Sequence, residues 1–553
     1  MKILKYINYR LFALLFLAII SCDYLEYDET SFNRKDDVFT DFSRSKSFLT
    51  NIYSYLPTDF NSVDGAMRSS ATDEAEHVLD LSDIQRFNEG RYSDLRPIDN
   101  VWGNMYSGIR AANMFIVETE GVEFLEDQYN EDYEETIEQF KNYAYEARFL
   151  RAYFYFELVK RYKNIPLITE VLTSEEAINV SQNSFDDVVN FIVNECDAIA
   201  EVLPVNYEDF SSVGETGRAT KGAALALKAR MLLYAASPLH NTTNNASLWV
   251  DAAEAAKSVL DLDAYTLEGN YADIVNNYLS SELILERRQG TSNGFEQRNF
   301  PIGFEGGNTG TCPTQNLVDA YEMQATGLSI MDPASGYDAT NPYAGRDPRL
   351  AETVLVNGAA WKGETIESFV GGLNGAPIVN ATKTGYYLKK YVIEDINLTP
   401  TNTTSREHTW VLFRLGEVLL NYAEAMNEAY GPENASTYGM TALDAVNKIR
   451  ARANMPNFPN GLSKDEFRQK LQNERMVELA FEDHRFWDVR RWKIGNETTD
   501  IYAVKITRDA VTNNFEYQKS LLEVRNFEER MNLYPIPKSE INKNSNLVQN
   551  SGW

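Results

Sequence analysis

The chain has 553 residues, of which 43% are hydrophobic and 24% charged, a balance that excludes wholesale disorder. Its 81 acidic and 52 basic side chains give a net charge of −29, which repels phosphate backbones and excludes non-specific binding of nucleic acid. Three cysteines and four histidines, none at metal-ligand spacing, exclude a disulfide framework and argue against a metal ion or cofactor.

The first 22 residues predict export and lipidation. Three basic residues precede an apolar run over residues 11–20, about half the length that a bilayer span requires. We therefore expect a signal peptide over residues 1–21, and its removal takes away those three charges and leaves the mature chain at −32. The sequence Ile-Ile-Ser-Cys resembles a bacterial lipobox, which predicts acylation of Cys22 and membrane anchoring through it. An ordinary secretory signal that ends near Cys22 is the alternative.

Apolar and small residues recur at helical spacing through most of the chain. Trp102, Tyr106, Ile109 and Asn113, for example, follow one another at intervals of four, three and four. Residues 22–42 are interpreted as a lipidated N-terminal tether. The spacing, with prolines as terminators, predicts helices over residues 43–56, 100–118, 133–161, 185–203, 221–236, 248–262, 414–429, 442–453, 464–481 and 485–492.

The helical pattern breaks over residues 266–404, which are rich in Gly, Asn, Thr and Ser and contain short strand-like pieces. The flanking helix pairs are rich in small residues and echo tetratricopeptide repeats. The sequence thus predicts a mainly α fold with one body over residues 43–553. A tetratricopeptide-like helix-pair scaffold, formed by residues 43–265 and 405–553, would carry an irregular loop-rich lobe formed by residues 266–404.

Several long stretches carry recognisable motifs. They are NVWGNMYSGIRAANMF at 100–115, EARFLRAYFYFELVKRYKNIPLI at 146–168, RATKGAALALKARMLLYAASP at 218–238, FRLGEVLLNYAEAMN at 413–427, ERMVELAFEDHRFWDVRRW at 474–492 and NLYPIPKSEINKNSNLVQNSGW at 532–553. Together with the lipobox at Cys22, these stretches resemble, in the same order, the SusD/RagB family of nutrient-binding outer-membrane lipoproteins of Bacteroidetes.

The resemblance implies a function at the cell surface, on the outer membrane. It implies that the protein is anchored there through Cys22 and binds an oligosaccharide or polysaccharide. It also implies a partner, a TonB-dependent transporter of the SusC class, over which the lipoprotein acts as a lid. No catalysis and no cofactor are expected. A peptide or another nutrient is the alternative ligand, and a surface carbohydrate-active enzyme is the alternative of another class.

Two pairs of adjacent carboxylates, Asp73–Glu74 and Glu482–Asp483, have the residue types that a glycosidase needs. Adjacent side chains diverge in direction on a helix or strand, so neither pair suits acid–base catalysis. The many charged residues over 474–491 are interpreted as intramolecular ion pairs that fix helix packing.

Sugar binding requires a different set of residues. Sugar rings stack their C–H faces on aromatic rings, their hydroxyls need polar partners, and loops on a rigid scaffold present both. The loop over residues 287–315 combines aromatic with polar residues. Each of its phenylalanines has an alternative role as an anchor of the loop. The candidate ligand-binding residues there are Phe295, Phe300, Phe304, Asn308 and Cys312.

Five further candidates lie outside this loop. Trp102 follows a polar loop that contains Tyr92, so its ring could face a pocket. Trp361 lies in a predicted turn and could form a stacking platform or part of an interface. Arg68 and Asp73 could bind sugar hydroxyls if their loop reaches the site.

Overall fold

The structure, a computed structural model, describes residues 35–124, 127–207 and 216–553. The predicted signal peptide, Cys22 and most of the tether lie outside these residues. Within the described ranges, no helix is both long and apolar enough to cross a membrane.

Helices form most of the regular structure, as the spacing of apolar residues predicted. They are α1 (Lys35–Phe39), α2 (Phe42–Tyr53), α3 (Gln85–Asn88), α4 (Trp102–Glu118), α5 (Tyr133–Tyr162), α6 (Ser174–Ala177), α7 (Phe185–Ala200), α8 (Lys221–Ala236), α9 (Ala246–Leu260), α10 (Asp273–Asn276), α11 (Gly294–Asn299), α12 (Gln315–Ala320), α13 (Arg349–Thr353), α14 (Leu415–Tyr430), α15 (Ala442–Arg452), α16 (Lys464–Glu478), α17 (Arg485–Arg491) and α18 (Lys538–Lys543).

Several long helices begin at residues whose side chains cap them. Capping boxes start α7, α15 and α16, at Ser184, Thr441 and Ser463. In each, the hydroxyl accepts the backbone N–H of the residue three positions later, and the carboxylate of that residue accepts the backbone N–H of the capping residue. Thr220 caps α8 in the simpler way, by accepting a hydrogen bond from the backbone of Ala223.

The long helices stack in chain order. Helix α4 packs on α5, α5 on α7, α7 on α8, α8 on α9, α9 on α14, and α14 on both α15 and α16. Small residues allow this close approach: a Cβ atom added at Gly108 of α4 would lie 2.7 Å from the ring of Phe154 on α5. The predicted mainly α fold with a tetratricopeptide-like scaffold is confirmed.

The described strands form five antiparallel pairs. In the longest ribbon of the lobe, β2 pairs with β8, and Arg288 and Gln289 lie opposite Thr409 and His408. The hairpin of β9 and β10 lies in a region that the sequence placed in the helical scaffold. The strands are β1 (Ala75–His77), β2 (Leu283–Ser292), β3 (Thr311–Pro313), β4 (Val354–Leu355), β5 (Ala360–Trp361), β6 (Glu364–Thr365), β7 (Tyr387–Leu388), β8 (Arg406–Arg414), β9 (Asp500–Arg508) and β10 (Phe515–Val524).

A buried network of arginines and carboxylates joins the lobe to the scaffold. At the end of β8, Arg414 binds Glu478 of α16 at 2.8 Å and Glu482 at 2.7 Å. Arg349 of α13 reaches Glu478 at 2.8 Å and Glu474 at 2.7 Å. Burial alone would raise the pKa of Glu478, but the surrounding guanidiniums outweigh it and hold that pKa below its usual range. The prediction that charged residues of the segment 474–491 form intramolecular ion pairs is confirmed.

Candidate binding site

A cleft of about 620 Å³ opens in the loop-rich lobe beside the β2–β8 ribbon. Its volume falls within the range typical of small-molecule sites. We refer to it as the lobe cleft, and its lining combines aromatic rings with charged and polar side chains. The lining residues are Phe60, Tyr271, Ala272, Val275, Asn276, Tyr278, Glu352, Trp361, Lys389, Lys390, Tyr391, Val392, Ile393, Glu394, Asp395, Arg406, Glu407, His408 and Thr409.

One wall of the cleft is the segment over residues 389–396, which Lys362 holds in place. The Lys362 ammonium donates to the carbonyl oxygens of Glu394 at 2.9 Å and Ile396 at 2.6 Å. Its backbone N–H donates to the Glu394 carboxylate at 2.6 Å. Because Lys362 follows Trp361 directly, these bonds fix the β5–β6 hairpin and its tryptophan against the wall.

A buried carboxylate, Glu296, fixes the wall to the ribbon. It accepts the backbone N–H of Ile393 at 3.1 Å, and its Oε1 atom lies 2.9 Å from Nε2 of His408. The other ring nitrogen of His408 lies 3.1 Å from the carbonyl oxygen of Arg406. Helix α11, the wall and β8 are thereby tied together at one side chain.

The aromatic residues of the cleft form an interlocked cluster. The ring of Tyr391 stacks on that of Trp410 at 4.9 Å, and Phe60 packs edge-on against both. Tyr278 is 41% exposed, and it is the aromatic lining residue most accessible to a ligand. Trp361 is 1% exposed, and among the described residues its indole Nε1 has no hydrogen-bond partner.

The charges that line the cleft nearly cancel. Three basic residues and four acidic residues contribute to the lining. Lys389 binds Glu352 at 3.0 Å, and Arg406 binds Asp395 at 2.7 Å. Lys390 is buried and binds Glu482 at 2.6 Å, and burial lowers its pKa against the opposing effect of that carboxylate. A site with such paired charges suits a neutral, polar ligand better than an ion.

The structure places none of the five candidates of the 287–315 loop in the cleft lining, and two of them lie directly behind it. Phe295 packs on Phe60 at 5.0 Å and Phe300 packs on Trp361 at 5.9 Å, both as buried supports of lining residues. Cys312 lies fully buried in β3. Phe304 is half-buried and packs against the core, Asn308 is exposed, and neither lines the cleft.

The other candidates are dispersed. Arg68 is buried and binds Asp483 at 2.8 Å and Asp99 at 3.0 Å, so its donors are already used. Asp73 forms a buried pair with Arg485 at 2.7 Å.

Two aromatic candidates lie away from the lobe. Tyr92 packs between Phe87 and Trp553 and is 3% exposed. Trp102 is 6% exposed and lines a separate, largely apolar cavity of about 350 Å³ between α4 and the C-terminal helix α18. Of the ten predicted ligand-binding residues, Trp361 alone lines the lobe cleft.

The sequence reasoning missed Phe60, Tyr278, Tyr391 and His408. A signal existed for Tyr278, which is an aromatic residue among Asn and Ser residues in the predicted lobe. None existed for Phe60, which reaches the cleft from the segment that follows α2. No group of three or more potential metal ligands occurs among the residues described by the structure.

Comparisons with known proteins find similarity along nearly the whole chain. Residues 281–553 match a family model described as the SusD family, and residues 23–233 match one described as starch-binding and associating with the outer membrane. SusD-like protein P25 of Formosa agariphila is 24% identical over 528 residues, which cover 89% of this chain and 90% of the relative.

Solved structures show the same similarity. A SusD-like protein of Bacteroides fragilis has 28% identity and a TM-score of 0.78, covering 96% of this chain and 99% of that chain. A SusD-like carbohydrate-binding protein of the same organism has 26% identity and a TM-score of 0.75, covering 92% of this chain and 100% of that chain. The likeness therefore extends over the scaffold and the lobe together.

Proposed function

Because the chain belongs to the SusD family, as its motifs indicated, we propose that it captures a saccharide in the lobe cleft and passes it on unchanged. Relatives are named as carbohydrate-binding or starch-binding proteins, which supports this ligand class. The observation that carries the proposal is the cleft lining, in which an accessible Tyr278 ring lies among polar groups with paired charges.

This lining matches the chemistry of a sugar. The ring of Tyr278 provides a face for the C–H groups of a pyranose or furanose. Asn276, Glu407 and Thr409 provide donors and acceptors for hydroxyl groups. We expect modest affinity, since hydroxyls must lose bound water before they bind the protein.

We further propose that the protein performs no hydrolysis. A glycosidase needs one carboxylic acid that keeps its proton and a second carboxylate facing it. In the cleft, Glu352 and Asp395 are each paired with a cation, and Glu394 accepts the Lys362 backbone N–H. The sequence candidates Asp73, Glu74 and Glu482 are buried away from the cleft lining, as is the partly buried Asp483.

The location and partner are also proposals. We propose that acylated Cys22 anchors the chain to the outer membrane at the cell surface and that a SusC-class TonB-dependent transporter receives the glycan beneath it. The family description of outer-membrane association supports the location. A Cys22→Ser variant should leave the membrane fraction, and the lipidated chain should co-purify with the transporter. Retention of the variant in membranes would contradict the anchor.

Titration of the detergent-solubilised full chain against a panel of polysaccharides, with reducing ends assayed in the same tubes, tests the binding proposal. We expect binding to one glycan class without release of product. New reducing ends would show that the protein is an enzyme. Failure to bind any glycan, with binding of a peptide library instead, would favour the peptide alternative.

A further inference from the structure

A second cavity adjoins the lobe cleft and has the opposite charge to the chain as a whole. Its volume is about 470 Å³, and Arg218, Arg287, Arg288 and Glu286 are its charged lining residues. Arg218 is paired with the buried Glu146 at 3.0 Å and Arg288 with Glu286 at 2.9 Å, so Arg287 leaves the cavity with a positive charge, although the chain carries −29 overall. We refer to it as the arginine cavity. Its other lining residues are Thr50, Tyr53, Ser54, Leu56, Thr216 and Gly217.

Arg287 has no counterion among the described residues. Its guanidinium donates to the backbone carbonyl of Leu56, and no carboxylate lies within ion-pair distance of it in the part of the chain that the structure describes. Burial lowers its pKa, since no opposing charge offsets the loss of water. The guanidinium nevertheless stays charged at neutral pH. A partly buried cation of this kind is stabilised when an anion binds it.

Arg288 connects the two cavities. Its Nη2 atom lies 2.9 Å from the Glu286 carboxylate and 2.6 Å from the Thr216 hydroxyl. Its guanidinium carbon lies 4.2 Å from the ring centre of Tyr278, which lines the lobe cleft. Thr409, its partner across the ribbon, also lines the cleft. A ligand on Tyr278 therefore lies next to the arginines.

We propose that the arginine cavity binds the carboxylate or sulfate group of an acidic saccharide whose adjoining sugars occupy the lobe cleft. This inference rests on the proposed glycan-binding function and narrows it to a substrate class. The planar guanidinium matches both groups, because two parallel N–H donors can face two oxygen atoms. Arg287 supplies the uncompensated charge, and the cleft supplies the stacking surface.

The test compares acidic with neutral probes on the detergent-solubilised full chain. Polygalacturonate and dextran sulfate are titrated beside galactan and dextran, in low and high salt. We expect at least one acidic probe to bind about tenfold more tightly than its neutral counterpart. A hydrogen bond to a charged group contributes about 1.5 kcal/mol or more, which corresponds to such a factor. Salt should weaken this preference, because it screens exposed charges. The probe that is preferred distinguishes carboxylate from sulfate.

Variants locate the effect. Arg287→Gln keeps a donor for the Leu56 carbonyl and should abolish most of the preference for the acidic probe. Glu286→Gln removes the competing carboxylate and should strengthen acidic binding a few-fold. Arg91→Gln is the matched control, because it removes an exposed arginine outside both cavities. It should change neither the affinity for acidic probes nor that for neutral probes. The affinity of each variant for the neutral glycans of a wider panel is compared with that of the wild type, and an unchanged affinity shows that the variant remains folded.

Two results would overturn the inference. One is equal affinity for acidic and neutral probes, and the other is an acidic preference that survives in Arg287→Gln. If neutral glycans still bind in either case, the proposed function stands and only the acidic substrate class fails. If no saccharide of either kind binds, the proposed function fails together with this inference.

Discussion

Trp361 and Phe300 meet edge to face, with ring centres 5.9 Å apart, directly behind the surface of the lobe cleft. Phe300 is fully buried, while Trp361 lines the cleft. The ammonium of Lys362 lies 4.8 Å from the centre of the Phe300 ring and also binds the cleft wall. Trp361 is thus held from behind by a ring and from the side by the wall, and at 1% exposure it is a rigid support beneath the cleft surface.

Tyr278→Ala should weaken glycan binding about fivefold. A stacked aromatic ring contributes about 1 kcal/mol beyond the area that it buries, and Tyr278 is the exposed ring of the cleft. Stability should change little, because the side chain is 41% exposed. Calorimetric titration measures the affinity. Tyr129→Ala, at a tyrosine that is 89% exposed and does not line the cleft, is the matched control, and an equal loss there would refute the assignment.

Trp361→Phe should keep the packing against Phe300 and lose the unpartnered indole Nε1. That nitrogen is itself buried behind the cleft surface, so the affinity for a glycan should change little. Trp249→Phe is the control, because Trp249 is also buried with an unpartnered Nε1 but lines a cavity of the scaffold. A loss of about fivefold in affinity in Trp361→Phe alone, the effect of about 1 kcal/mol for a neutral hydrogen bond, would contradict this and show that the N–H contacts the ligand.

Arg414→Met should destabilise the protein by about 3–5 kcal/mol, the effect of breaking a buried ion pair. It would leave the buried carboxylates of Glu282, Glu478 and Glu482 without their shared guanidinium. Denaturant unfolding measures the loss. Arg91→Met removes an arginine that is 70% exposed and should change the free energy of unfolding by less than about 0.5 kcal/mol. A loss below 1 kcal/mol in Arg414→Met would contradict the structural role of the network.

Stability should fall as the pH drops below 6.5, partly because of His240. Burial, aided by Lys163, lowers the pKa of this imidazole from 6.5 to about 3, and its ring stacks on Phe185 at 3.8 Å. The unfolded chain gains a proton at His240 below pH 6.5, whereas the folded chain gains it only near pH 3. The folded state is therefore disfavoured increasingly over that window.

His240→Phe removes this group and keeps the stack. Between pH 7.5 and 5, the free energy of unfolding should fall by about 2 kcal/mol less in the variant than in the wild type. The difference arises over the 1.5 pH units below 6.5, in which only the unfolded wild-type chain takes up a proton at His240. Urea unfolding at both pH values measures the difference. Identical pH dependence in the two proteins would show that the folded protein does not hold His240 in its neutral form.

The sequence predicted the scaffold well because helices depend on local patterns. Helix α8 has the predicted bounds, Lys221–Ala236, because Thr220 caps it and Pro238 follows it. The β9–β10 hairpin was missed because much of it is exposed, with no strong apolar alternation on β10. The division into scaffold and lobe stays a prediction.

The site was predictable as a region and not residue by residue. Most of the cleft lining falls within the predicted lobe, but which ring faces the cleft depends on contacts between distant parts of the chain. Arg68 illustrates the difficulty, since its partner Asp483 lies 415 positions away. Phe60 likewise reaches the cleft from outside the lobe sequence. Spacing along the chain carries no information about such pairs.

The central claim is that the lobe cleft binds a saccharide without cleaving it. The most direct measurement is a calorimetric titration of the wild type and of the Tyr278→Ala variant with the glycan that the panel identifies, followed by an assay of reducing ends. We predict binding of modest affinity by the wild type, a loss of about fivefold in the folded variant, and no product. Equal binding by both proteins, or release of reducing ends by the wild type, would contradict the account.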